Sequence, residues 1–577
     1  MRIIKLKTKA EVIGLALLML CIGVGNIYGT LLKDPVGTTP GYGFYNPTYI
    51  WNSNGQSWIA TGPNLQASLN LSGVTYFPGN TTIYTNTSIL LRNSSCLIGY
   101  GWTSVLKAGA GLGNVPLIVN DANYPPTHTN HDIEVRNLKI DGADPTHIKS
   151  VGGFNYGVLF AKVTWGTVDN VYVKDLGKDG VRAFNSNHIT FSYITVNNTG
   201  NHGVFMGYGT YNSSISHVDA YHPKTEAVCI EWSEQGTSRR NENIQISDVN
   251  CYGNEQHGLY LADTNYAIVS NYVATNSSSW GFIVRNSSYI TMTSCDSNKN
   301  VVGDGVLVDA GTNHIHLDTF TIKNVVAGSP AFKLLGDNIT LENSEGSLCG
   351  APVSFAATSR NVTVTHCEFY TYSVYVTILG KDVELSYNRF LRQTGASILR
   401  AINIDSASVG SRVIGNDVRN VNCTSRKIEL ATSGCPSAVV RDNPGFPTEY
   451  YMRAGATIPM GLGGVYSTPV VLQPLTQHVV APIMWIRNSA KVNASETVTY
   501  SIQAIYQTGA IKYLNKTIVG PALTLTYWYN LTNPDWITLS SLGQSNGGER
   551  LLRFNVYAKT TNATTSAAVV VYLLSQG

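Results

Sequence analysis

The sequence predicts an all-β chain. A right-handed parallel β-helix solenoid spans residues 66–442, a smaller antiparallel β-sandwich spans 448–577, and one hydrophobic helix lies at the N-terminus. Three observations carry this. First, a small residue followed by an apolar one recurs at Gly157-Val158, Gly180-Val181, Gly203-Val204, Ala227-Val228, Gly258-Leu259, Gly281-Phe282, Gly305-Val306, Ala331-Phe332, Pro352-Val353, Ser373-Val374 and Ser397-Ile398. The spacings are 23, 23, 24, 31, 23, 24, 26, 21, 21 and 24 residues. A fixed period of this size marks a solenoid, whose coils bury their apolar faces only by stacking on one another. Second, each repeat holds another short Val-, Ile- and Thr-rich strand, opened by a polar or aromatic residue. Examples are Asn170-Val-Tyr-Val, His188-Ile-Thr-Phe, Asn243-Ile-Gln-Ile, Tyr289-Ile-Thr-Met, Asn338-Ile-Thr-Leu, Asn361-Val-Thr-Val and Asp382-Val-Glu-Leu. Alternation over four positions reads as a strand with one face inward. Third, the period stops after Asp442-Asn-Pro-Gly-Phe-Pro447. Longer alternating runs follow, such as Thr497-Val-Thr-Tyr-Ser-Ile-Gln-Ala-Ile-Tyr506, at a density that suggests a sandwich.

Composition limits the partners. Charged residues make up 13% of the 577, and the net charge of +3 owes much to Arg2, Lys5, Lys7 and Lys9. The remainder has no basic field for nucleic acid, and that partner is excluded. Of nine cysteines, eight follow Cys21, an even number suited to disulfides outside the cell. Cys423 and Cys435 flank a short loop and are the preferred pair, with Cys349 and Cys367 second. Cys229, Cys251 and Cys295 read equally well as buried thiols. No cysteines or histidines stand at metal-ligand spacing, and no cofactor is expected.

Residues 1–10 form a basic leader, and residues 11–33 a hydrophobic signal or anchor helix. One reading is a signal peptide cut after Gly25 or Gly29. The other starts from Lys9-Ala10-Glu11-Val12-Ile13-Gly14, which resembles the class III leader of archaeal type IV pilin-like proteins. That resemblance implies cleavage after Ala10 and a retained helix, long enough to cross a bilayer or to join a pilus-like filament. Either way the rest of the chain is expected outside the cell. Abundant Asn-x-Ser/Thr sequons, Asn93, Asn286 and Asn361 among them, fit an exported glycoprotein.

Residues 34–65 lack periodicity and read as a linker. Beyond them come Val74-Thr-Tyr-Phe-Pro-Gly79, Leu97-Ile-Gly-Tyr-Gly-Trp102 and Ile133-Glu-Val-Arg-Asn-Leu-Lys-Ile-Asp-Gly142. This run is similar to the opening coils of the pectate-lyase-like superfamily, which includes polysaccharide lyases, polygalacturonase-type hydrolases and phage tailspikes. The resemblance covers roughly residues 66–440, and it implies the fold more specifically than any reaction.

The repeat also aligns residues in space. The position before each small residue gives a column of Tyr156, Asp179, His202, Glu226, His257, Trp280 and Asp304. Adjacent coils stack about 4.8 Å apart, so Asp179 and Glu226 should be separated by about 9.6 Å at the backbone. Inverting glycosidases hold two carboxyl groups roughly 6.5–9.5 Å apart, and Asp179 and Glu226 are the expected acid and base, with His202 between them. In the polygalacturonase family N-T-D, D-D, G-H-G and R-I-K motifs lie on successive coils. Here Asn155-Tyr156-Gly157, Lys178-Asp179-Gly180 and Asn201-His202-Gly203 correspond in part, with half the acids missing and no R-I-K. A lyase would instead use Lys178 or Arg182, and would add Ca²⁺ held by carboxylates.

The 31-residue coil inserts Glu231, Trp232, Glu234, Arg239 and Arg240 beside the column, where inserted loops shape a binding face. Trp232, Tyr260 and Trp280 offer rings for sugars. Asp, Asn and His before Gly are also ordinary turn residues, so the column reads as turns as readily as a site. The expected function is polysaccharide binding, with cleavage by hydrolysis before elimination. The alternative is a non-enzymatic adhesin or pilin-like subunit that uses the solenoid as a glycan-binding stalk.

Overall fold

The computed structural model describes residues 49–459 apart from 55, 72, 122–127, 147–154, 232–238, 301–302, 326–327, 392–397, 399, 406–407, 424–426, 431–437 and 445–449. Beyond these it describes 470–472, 482–488, 497–506, 511–519, 537–538, 551–560 and 568–575. It shows a right-handed parallel β-solenoid of about 13 turns. The leader and hydrophobic segment (1–33), Trp232, Glu234 and Cys435 lie outside the described residues. Among the described residues no helix is long and apolar enough to cross a membrane.

Among the described residues regular structure starts at Tyr49, within the stretch read as a linker. The strand Tyr49–Asn52 runs antiparallel to Gly73–Phe77, and one short helix, Gly62–Leu69, follows it. The Thr61 hydroxyl accepts from the Asn64 backbone N–H, capping an otherwise unsatisfied donor, and Pro63 sits in the first turn where its missing N–H costs nothing. The helix buries Leu65 and Leu69.

Two strand stacks build the coils. The short-strand sheet has eleven parallel strands. Its register runs Val158, Val181, Val204, Val228, Leu259, Phe282, Val306, Phe332 and Val353. Even the 31-residue step from Val228 to Leu259 keeps this register. The long-strand sheet includes Val163–Leu176, Asn187–Thr199, Tyr211–Tyr221 and Asn241–Tyr252, each parallel to the next.

The residues that opened the second strand in the sequence are bends. Asn170, His188, Asn243, Tyr289, Asn338, Asn361 and Asp382 all have φ between +51° and +59°, the left-handed region that Asn and Asp tolerate best. Their side chains stack from coil to coil. The Asn243 Nδ2 donates to Asn212 Oδ1 at 2.9 Å, Asn361 Nδ2 to Asn338 Oδ1 at 3.0 Å, and the rings of Tyr266, Tyr289 and His314 stack in turn.

Alternation does the rest. In the short strands Val181, Ala183, Val204, Met206, Val228 and Ile230 point into one continuous core, each of these save Ala183 contributing on the order of 1.5–3 kcal/mol. Arg182, Phe184, Phe205, Cys229 and Glu231 alternate with them and face outward.

After Arg441 the pairing changes from parallel to antiparallel. Val439–Arg441 pairs with Tyr450–Pro459, which pairs with Ala568–Ser575, which also pairs with Pro482–Asn488. A separate antiparallel sheet joins Val470–Leu472, Leu551–Thr560, Thr497–Tyr506 and Ile511–Val519. The antiparallel strands are observed; their stacking into a sandwich stays an expectation.

The second-choice disulfide is corrected. Cys349 and Cys367 are separate buried thiols in the coil core, as are Cys251 and Cys295. Burial pushes Cys251 up to about 11 and Cys295, Cys349 and Cys367 up to about 12. A thiol must ionise to react. A disulfide-exchange reagent at neutral pH is therefore expected to leave these four untouched in the folded protein and to titrate them after denaturation. Fast labelling of any of them in the folded state would contradict this burial.

Candidate functional site

Because the short strands stay in register, the residues two positions before them form the column expected from the repeat. Backbone bonds tie it together: Gly157 N–H to Asp179 O at 3.1 Å, Gly180 N–H to His202 O at 3.0 Å, Gly203 N–H to Glu226 O at 2.9 Å, and Gly258 N–H to Trp280 O at 3.1 Å. The small residue beside the column follows from this closeness. A Cβ on Gly180 would stand 2.5 Å from the Gly203 carbonyl oxygen.

Asp179 is fully buried. Its Oδ2 lies 2.7 Å from Arg182 Nη1, and its Oδ1 accepts from Asn201 Nδ2 at 2.8 Å and from the His202 backbone N–H at 3.1 Å. Burial pushes this carboxyl up, but Arg182, His202 and the hydrogen bonds outweigh it and hold it below the usual carboxylate range. The Arg182 guanidinium lies 3.9 Å from the Phe205 ring centroid and 5.4 Å from that of Tyr156.

One coil on, His202 Nδ1 is 2.7 Å from Glu226 Oε2 and 2.9 Å from Thr225 Oγ1. Burial pushes the imidazole down, while Asp179 and Glu226 overcome this and raise it. Burial pushes Glu226 up, and the bond to His202 with the charges of His202 and His257 brings it below its ordinary value. His257 Nε2 stands 3.8 Å from the other Glu226 oxygen, and burial lowers its affinity for a proton. Further along, Trp280 Nε1 donates to Asp304 Oδ2 at 3.2 Å, and Lys333 Nζ is 3.7 Å from the same oxygen. Burial raises Asp304.

The structure thus brings Tyr156, Asp179, Arg182, His202, Glu226 and His257 into one packed network. Asp179 and Glu226, expected as acid and base, each spend their charge on a cation or imidazole. Lys178 is half-buried beside Asp179, and Trp280, on the coil after His257, packs on that imidazole with ring centroids 4.9 Å apart and carries the column on to Asp304.

Glu231 is the acid that reaches open space. It lies on the outer face of the short-strand sheet and lines a cleft of about 580 Å³ together with Tyr260, Ala262, Asp263, Arg285 and Asp309. Ala262 pairs with Arg285 in the strand register. Its single methyl group beside Glu231 leaves the floor of the cleft low. Arg285 Nε is 3.4 Å from Asp309 Oδ2, and its side chain also bonds the Tyr260 hydroxyl. Tyr260 stacks on His257 at 6.0 Å, which joins the cleft to the column. Burial, reinforced by the charges of Glu226 and Asp179, raises the Glu231 carboxyl.

Asp263, Arg285 and Asp309 escaped the sequence reading, although Arg285 falls on a strand position that the period aligns with Glu231. Cys229, read equally well as a disulfide partner or a buried thiol, also belongs here. A ring nitrogen of His202, the Cys229 Sγ and a Glu231 oxygen all lie within 4.8 Å of one another. Ca²⁺ takes six to eight oxygen ligands, and this trio supplies one carboxylate.

No curated protein matches the chain in sequence. Among solved structures it is similar to the tailspike protein of E. coli bacteriophage HK620 in complex with a pentasaccharide, at 11% identity over 91% of this chain and 92% of that one, with a TM-score of 0.48. It is also similar to the A-module of mannuronan C-5 epimerase AlgE6 of Azotobacter vinelandii, at 12% identity, 67% and 94% coverage and a TM-score of 0.37. A third is the endo-xylogalacturonan hydrolase of Aspergillus tubingensis, at 12% identity, 66% and 95% coverage and a TM-score of 0.30. The family model described as a right-handed beta helix region matches residues 156–322, the coils that carry the column from Tyr156 to Asp304.

Proposed function

We propose that this protein binds a polysaccharide on the outer face of its short-strand sheet and hydrolyses it in the cleft beside Glu231. The observation that carries this reading is the placement of buried charge. The coils close with Val, Ile and Phe, and a solenoid needs no ions on its outer face. Yet Asp179, Arg182, His202 and Glu226 are held there at a desolvation cost, and the network meets a cleft at Glu231 and Tyr260. Charged groups perturbed by burial and by specific partners beside a cleft mark functional sites. In the cleft, Tyr260 supplies a ring, and Asp263, Arg285 and Asp309 supply hydrogen bonds for sugar hydroxyls. The reading carries with it export, with residues 11–33 holding the chain at a membrane or in a pilus-like filament.

One observation favours the non-enzymatic adhesin instead. Both carboxylates of the expected catalytic pair are tied up, Asp179 by Arg182 and Glu226 by His202.

A polysaccharide panel decides between the two, with new reducing ends and unsaturated ends both followed. The expected result is reducing ends without unsaturated ones, and a rate at least about 10²-fold lower in Glu231→Gln, which should still retain the glycan. Retention without cleavage by the wild-type chain would establish the adhesin. Neither retention nor cleavage of any glycan would remove both readings.

A further inference from the structure

We propose that His202, Cys229 and Glu231 form a binding site for a first-row transition ion of the Zn²⁺ type. The inference shares Glu231 with the polysaccharide reading, but it concerns what the protein binds without any glycan.

The three donors come from adjacent coils. His202 lies two positions before the strand Val204–Gly207, and Cys229 and Glu231 lie on the next strand, Val228–Glu231, where Cys229 pairs with Phe205. Their ligand atoms fall within 4.8 Å of one another. A tetrahedral zinc ion with Zn–S near 2.3 Å and Zn–N and Zn–O near 2.0 Å needs donors roughly 3.5 Å apart, so closure by about 1 Å suffices.

Two observations separate this trio from a chance grouping. The first is the setting of Cys229. Cys251, Cys295, Cys349 and Cys367 sit in the coil core among apolar side chains, and the thiols of Cys251, Cys295 and Cys367 donate to backbone carbonyls. Cys229 is 1% exposed, yet it sits on the outward side of its strand, between the inward Val228 and Ile230. It shares that face with His202 and Glu231 and is not part of the core cluster.

The second observation is the support behind His202. Its Nδ1 is engaged by Glu226 at 2.7 Å, which leaves Nε2 as the nitrogen to ligate. A metal-bound histidine almost always gives its other N–H to a carboxylate or carbonyl, which fixes the ring and strengthens the ligand.

Asp179 and Arg182 cancel each other, and Glu226, Glu231 and a Cys229 thiolate bring three negative charges to a divalent cation, one more than it neutralises. Imidazole and thiolate select Zn²⁺ and its neighbours over Ca²⁺ or Mg²⁺. Glu231 is the member that lines the cleft, so an ion held by three protein ligands keeps its open position on the cleft side, and Glu231 acts there as a ligand.

Co²⁺ is the probe. The full chain, stripped with a chelator, is titrated with Co²⁺ and followed by absorption. One equivalent should bind and give intense visible bands of a tetrahedral centre with a thiolate-to-cobalt charge-transfer band, and added Zn²⁺ should bleach both. Cys229→Ser should lose the charge-transfer band. Glu226→Gln should keep it while binding Co²⁺ about 10–100-fold more weakly. Excess Ca²⁺ should displace nothing.

A wild-type chain that binds no stoichiometric Co²⁺, or binds it without the charge-transfer band, overturns the proposal without recourse to a variant. A band that survives in folded Cys229→Ser overturns it as well, by assigning the thiolate elsewhere. Because no glycan takes part, failure here leaves the polysaccharide test untouched.

Discussion

Replacing Arg182 with Met is expected to cost the fold about 3–5 kcal/mol, the range seen when one partner of a buried ion pair is removed. Asp179 has no exposed surface, and Arg182 is the cation that faces it, at 2.7 Å. Methionine keeps an unbranched apolar stem that can lie on Phe205, so the loss reports the charge rather than a cavity. The Asn201 amide and the His202 N–H would still donate to Asp179, but neither carries a net charge. The double variant Arg182→Met with Asp179→Asn should recover most of the stability, because a neutral amide no longer demands a counter-ion. Denaturant unfolding of the two variants and the wild type measures the pair as a double-mutant cycle. A loss under 1 kcal/mol in Arg182→Met would show that water reaches Asp179 and that the network is not a buried one.

Much of this architecture was legible because the solenoid punishes the wrong residue at fixed intervals. The small residue at Gly157, Gly180, Gly203 and Gly258 repeats because a Cβ there would meet a carbonyl of the next coil within 2.4–2.6 Å. The openers Asn170, Asn243, Asn338 and Asn361 repeat because the chain turns through positive φ at each. From those two signals the register follows, and with it the column from Tyr156 to Asp304.

What the column does was not legible. A residue beside Gly reads the same whether its side chain is solvated or sealed, and here it is the partner Arg182, lying against Phe205 and Tyr156, that marks Asp179 as sealed. The cleft was missed for a related reason. Glu231, Ala262 and Arg285 align at the far end of the short strand, a position that Phe184 and Gly207 hold in the preceding coils, so no one residue type recurs there. Parity was available as a guide, since a strand that starts inward at Val228 must put Cys229 and Glu231 outward. Their nearness to His202 comes from a step of one coil plus a few residues, which no motif of fixed spacing captures.

The largest loss in the core is expected from Phe282→Ala, about 3–5 kcal/mol for truncating a fully buried aromatic ring. Phe282 has no exposed surface. It is gripped edge to face by Tyr272 at 5.4 Å and 75°, and by Phe320 at 5.6 Å and 82°; Phe320 meets Phe332 at 6.1 Å in the same way. Tyr272 is pinned by its hydroxyl, which donates to the Gly258 carbonyl at 2.7 Å, so it cannot swing into the void. In a compact domain such a cavity would weaken every amide together. A solenoid coil contacts only its neighbours, and its stability is a sum of coil and nearest-neighbour interface contributions. Amide exchange in Phe282→Ala should therefore quicken across Leu259–Ala262, Phe282–Arg285 and Val306–Val308, and stay unchanged at Val158–Ala161. Uniform acceleration along the whole short-strand sheet would mean that the coils open as one unit. The column at Asp179 and His202 would then owe its stability to distant coils as much as to its own.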